Sequence, residues 1–148
     1  MSSTIPARDS HDADLPWIPI DAEKSWKPLR FFANDAGFVQ LMRMSPGSVS
    51  PPHRHTAQTH SFNLSGYRRL DSGEVIGPGD YVCETPDVVD AWHVIGDEPL
   101  LLLAVVRGAV EFVDADGRVT GTLTAQSQFA RYRDYCAEHG LVLHDLFD

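Results

Sequence analysis

Cysteine is scarce in this chain: 148 residues contain only Cys83 and Cys136. Two thiols this far apart, with no CxxC, fit reduced thiols in a cytosolic protein better than a disulfide scaffold. Positive charge is also in short supply. Twelve Lys and Arg face 21 Asp and Glu, a formal charge of -9, and no basic cluster marks a nucleic-acid or anionic-membrane partner. Long hydrophobic runs are missing as well. The longest, residues 100–106, is far too short for a helix to cross a bilayer. The opening MSSTIPARDSHDADLP has no apolar centre, so a signal peptide is not expected and a cytoplasmic protein is.

Punctuated short strands are plentiful instead. Between residues 37 and 123, β-type runs alternate with turn signals every 8–12 residues or so, the rhythm of an all-β sandwich or barrel. Pro46-Gly47, Ser65-Gly66, Gly77-Pro78-Gly79-Asp80, Arg107-Gly108 and Asp116-Gly117 supply the turns, the last suited to a tight hairpin. Residues 1–15 read as a polar arm and 16–124 as the barrel. Within the barrel, Trp17 to Ile20 is expected as an edge strand, because Pro19 is ill suited to a sheet centre. Residues 125–148 form a helix and tail, where Phe129, Tyr132 and Cys136 recur at helical spacing, Thr124 can cap the start and Gly140 the end.

The chemistry concentrates in His53-Arg54-His55 and in His60 five residues on. In a strand, residues i and i+2 project to one face, so His53 and His55 present two parallel imidazoles to one cation. His60 shares a face with Phe62 and Leu64, and those apolar neighbours predict that this face is the barrel interior. Glu84 and His93 are the candidates for a further ligand from a distant strand. Imidazole ligands suit iron, zinc, copper or nickel. Three of them leave coordination positions open, as catalysis requires.

This arrangement resembles the cupin superfamily, whose first motif sets HxH between glycines. Gly47, His53, His55 and Gly66 match it, and His60 stands where a metal-binding Glu is usual. Gly77 to Asp80, Pro86 and His93 resemble the second motif, with about two extra residues before His93. Among cupins, residues 17–141 are similar to small C–C-cleaving dioxygenases of the 2,4'-dihydroxyacetophenone and acetylacetone type. That resemblance implies a jelly-roll barrel, an Fe(II) held by His53, His55 and His93, and cleavage beside the carbonyl of a small ketone by dioxygen. Zinc, manganese or nickel are the other metals to expect. His60 would be either a fourth ligand or an interior base. Glu84 would act catalytically or hold a ligand imidazole by a hydrogen bond. A homodimer or homotetramer is expected, since association covers exposed sheet edges. The rivals are a non-catalytic metal or ligand sensor, like the zinc-binding cupin domain of an anti-sigma factor, and a redox-silent zinc, manganese or nickel enzyme.

Overall fold

The computed structural model describes residues 15–148; the expected arm of residues 1–15 lies outside it, apart from Leu15, which is buried. Twelve strands precede one helix. They are β1 (Ile18–Pro19), β2 (Lys24–Phe32), β3 (Gly37–Met44), β4 (Val49–His55), β5 (Thr59–Ser65) and β6 (Tyr67–Leu70). Then come β7 (Val75–Ile76), β8 (Tyr81–Glu84), β9 (Asp90–Ile95), β10 (Leu100–Arg107), β11 (Val110–Val113) and β12 (Val119–Leu123). The helix α1 is Ala125–His139.

The strands form two six-stranded antiparallel sheets, ordered β1-β2-β3-β10-β5-β8 and β12-β11-β4-β9-β6-β7. The pairs β3-β10, β10-β5, β5-β8, β11-β4, β4-β9 and β9-β6 join strands that are not consecutive in sequence, as in a jelly roll. Strand β2 was not expected from the sequence: Pro28 and the charges of Lys24, Lys27 and Arg30 obscure its alternation. A register shift between Pro28 and Arg30 lets Trp26, Pro28 and Phe31 all turn inward, as a bulge permits.

Alternation places the core. In β10, Leu100, Leu102, Ala104 and Val106 are buried against Met44, Met42, Gln40 and Phe38 of β3. One turn needs its glycine. Gly66 joins β5 to β6 at φ +77°, and a Cβ there would lie 2.4 Å from the Pro99 carbonyl oxygen.

The expected face of β5 is reversed. Thr59, Ser61 and Asn63 are buried, while Phe62 and Leu64 are 40% and 43% exposed and His60 is half-buried on their side. The inward polar groups are partly bonded, although Asn63 Oδ1 has no partner. Asn63 donates to the Gly66 carbonyl at 3.0 Å, and Ser61 accepts from Arg68 at 3.0 Å. Polarity inside and apolarity outside is the inverse of the usual pattern, so hydrophobicity pointed to the wrong face.

Helix α1 begins at Thr124, whose side chain accepts from the Ser127 amide in a reciprocal capping box. It ends at Gly140 in the left-handed region. Tyr132 and Cys136 are buried, and Phe31 packs among Phe129, Tyr132 and Phe147. No described helix is long and apolar enough to cross a membrane.

Candidate metal centre

Strand β4 supplies two imidazoles. His53 and His55 are 5% and 6% exposed, sit opposite Phe112 and Val110 of β11, and project to the same side because they are two residues apart. The Nδ1 of His53 lies 2.8 Å from the Pro51 carbonyl oxygen. A carbonyl accepts only, so Nδ1 carries a proton, and in the neutral imidazole the lone pair is left at Nε2. The Nδ1 of His55 lies 2.8 Å from the Thr59 hydroxyl. Such contacts fix the orientation of a ligating imidazole.

Glu84 arrives from the other sheet. Its strand β8 pairs with β5, setting Glu84 opposite Thr59. One carboxylate oxygen lies 3.2 Å from His55 Nε2 and the other 3.9 Å from His53 Nε2. Ligand atoms of the three residues all fall within 4.8 Å of one another. Burial alone would raise the Glu84 pKa. The close contact with His55 and the charges of His55, His53 and Arg68 outweigh it and hold the carboxyl below its usual value.

These residues fit a divalent metal. His55 Nε2 is buried, and although a Glu84 oxygen lies 3.2 Å away it forms no hydrogen bond there, a costly state unless something occupies that atom. Two imidazoles with one carboxylate suit iron, zinc, manganese or nickel, and leave positions open.

The other expected ligands lie elsewhere. His93 is exposed on β9 because its neighbours Trp92 and Val94 are buried on the opposite face. It stands across from Val49 and Arg69 on the outside of the sheet. His60 faces outward too, with its Nδ1 bonded to the Tyr81 hydroxyl and its ring stacked on Tyr81. Glu84, expected as a catalytic group or a support for a ligand imidazole, stands with His53 and His55 in the group of three that could hold a metal. Cys83 turns away from it and is exposed.

The cluster lines a cavity of about 330 Å³ between the sheets. The walls are mostly apolar, among them Phe38, Met42, Trp92, Leu102 and Phe112. Two charged residues beside it were missed in the sequence. Arg68 is 1% exposed. Asp90 faces His53 across β4 and β9, and burial and the charge of Glu84 raise its pKa. A signal for the first was present: in Arg68-Arg69, adjacent strand residues must face opposite sides, so one arginine had to enter the interior.

Comparison with known proteins agrees with this architecture. An RmlC-like cupin protein from Ralstonia eutropha superposes with a TM-score of 0.86 at 21% identity, over 92% of this chain and 90% of its own. An acetylacetone dioxygenase from Acinetobacter johnsonii gives 0.73 at 14% identity, over 83% and 87%. The Rhodobacter sphaeroides complex of SigE with the anti-sigma ChrR gives 0.56 at 17%, over 63% of this chain and 50% of that one. No curated protein matches the sequence. The model of the ChrR cupin-like domain matches residues 9–111, more than half the chain, and with the jelly roll and its inward HxH pair this places the protein in that cupin family.

Proposed function

We propose that the protein is a non-haem Fe(II)-dependent dioxygenase that cleaves a C–C bond beside the carbonyl of a small ketone or diketone. The observation that carries the reading is the convergence of His53, His55 and Glu84 in an otherwise apolar cavity. Two histidines and one carboxylate with open positions form the ligand set of many non-haem iron oxygenases. The likeness to an acetylacetone dioxygenase fold supports the substrate class.

When bound, the metal supplies Lewis acidity and the redox chemistry toward dioxygen. The chain's own groups do the rest. The Pro51 carbonyl and Thr59 hydroxyl hold the two imidazoles in place. Glu84 balances part of the cation's charge. The apolar walls exclude bulk water, which strengthens every charge interaction inside. Thr59 and Ser61 keep the floor near the cluster polar, with room for an oxygen-bearing substrate.

Anaerobic purification, metal analysis and oxygen uptake with acetylacetone and 2,4'-dihydroxyacetophenone test the proposal. Iron with uptake is expected, together with loss of both in His55→Ala. Zero uptake in fully iron-loaded protein would overturn it. The second reading, a zinc-binding sensor, draws on the ChrR family match and predicts tightly held zinc without turnover.

A further inference from the structure

The least expected residue in the cavity wall is a charged one. Strand β6 alternates regularly: Tyr67 and Arg69 are exposed and Arg68 is buried. Arg68 thus occupies an inward position where a small domain ordinarily places an aliphatic side chain, since burying a charge is expensive unless it is matched. Its partners match it only in part. Nη2 donates to the Ser61 hydroxyl at 3.0 Å, and the guanidinium lies 4.7 Å from the centre of the Trp92 ring, a favourable but weak cation–π contact. Nε is buried with no partner.

Glu84 and Asp90 act on Arg68 through space, yet neither resolves its charge. The two Glu84 oxygens are turned toward His53 and His55. Once Glu84 serves a dication, the site holds an excess of positive charge that Arg68 increases. Among the described residues no ion pair joins Asp90 or Glu84 to the guanidinium, and its Nε stays unpartnered. The unmatched charge therefore calls for an anion from outside, in the same cavity as the metal ligands.

We infer that Arg68 is a substrate-binding residue that takes a carboxylate, so that the ligand is a short oxo acid with its carbonyl at the metal centre and its acid group on the guanidinium. A guanidinium suits a planar carboxylate because it presents several N–H donors in a fixed fork. Ser61 and Trp92 hold that fork in place before the ligand arrives, which lowers the ordering cost of binding. The inference rests on the proposed metal-dependent carbonyl chemistry and narrows its substrate class.

A matched pair of probes tests it: 2,4-pentanedione and 2,4-dioxopentanoate, which carries the same diketone plus a carboxylate. Each is titrated calorimetrically into zinc-loaded full-length protein, with metal content measured on the same samples. A charge-assisted hydrogen bond predicts roughly tenfold or tighter binding of the carboxylated probe. In Arg68→Met the preference should fall below about twofold, and this separates Arg68 from direct chelation of the carboxylate by zinc, which the variant leaves intact. Circular dichroism and thermal melting check that the variant folds; Arg68→Lys, which keeps the charge but loses the fork, should retain only part of the preference. Equal affinities in the wild type, no binding of either probe to metal-loaded protein, or an undiminished preference in Arg68→Met would overturn the carboxylate site. All three leave the metal centre standing, whereas a wild-type protein that takes up no metal would overturn both.

Discussion

At the residue scale the molecule turns on which side of a strand each polar group faces. His53 and His55 were legible because an HxH pair in a strand shares a face whatever the register. His93 and His60 were not, because a one-residue shift reverses a strand and only the neighbours decide. Trp92 and Val94 claim the interior of β9 and turn His93 out. On β5 the interior takes Thr59, Ser61 and Asn63, against the hydrophobic pattern. Glu84 has a titration consequence. Its folded pKa lies below the ordinary 4.5, so its ionised form stabilises the fold above that value, and the contribution is lost as pH falls through the lower folded pKa. Urea midpoints of metal-free protein between pH 7 and pH 3 should fall more steeply for wild type than for Glu84→Gln. Parallel curves would show that His55, His53 and Arg68 do not hold the carboxylate.

At the scale of elements, turns and caps read more reliably than faces. The helix appeared where Thr124 and Gly140 placed it, because capping is local chemistry. The Asp116-Gly117 turn joins β11 to β12 as expected. Strand β2 escaped because its bulge breaks the period of two on which strand recognition rests. Gly66 and Gly47 offer a controlled comparison, with φ of +77° and +83°. A Cβ at Gly66 meets the Pro99 carbonyl at 2.4 Å, whereas at Gly47 it meets nothing within 4 Å. Gly47→Ala should cost about 1 kcal/mol, the left-handed penalty alone. Gly66→Ala should cost at least about 2 kcal/mol more, because backbone must move. Equal chemical-denaturation midpoints for the two variants would refute the steric account.

At the scale of the whole molecule, strand β10 is apolar on both faces. Leu100, Leu102, Ala104 and Val106 fill the core, and Leu101, Leu103 and Val105 lie half-buried on the outer side. Val39 and Leu41 of β3 and the exposed Phe62, Leu64 and Tyr81 extend that outer face. Antiparallel sheets normally alternate apolar-in with polar-out, and monomers seldom expose so continuous an apolar surface. We propose a second copy of the chain as the occupant, through a self-complementary contact. Sedimentation equilibrium should give a dimer at micromolar concentration, and Leu103→Asp with Phe62→Asp a folded monomer. A wild-type monomer at 100-fold higher concentration would count against this.

The stacking of Arg68 on Trp92 has an optical consequence. The indole is 5% exposed, forms part of the cavity wall and lies against the buried guanidinium of Arg68 in the same cavity as His53, His55 and Glu84. Whatever enters that space changes the electric field across the ring and, with it, the colour and yield of its emission. The protein therefore carries its own fluorescent gauge of occupancy, built from the same contact that keeps the arginine in place.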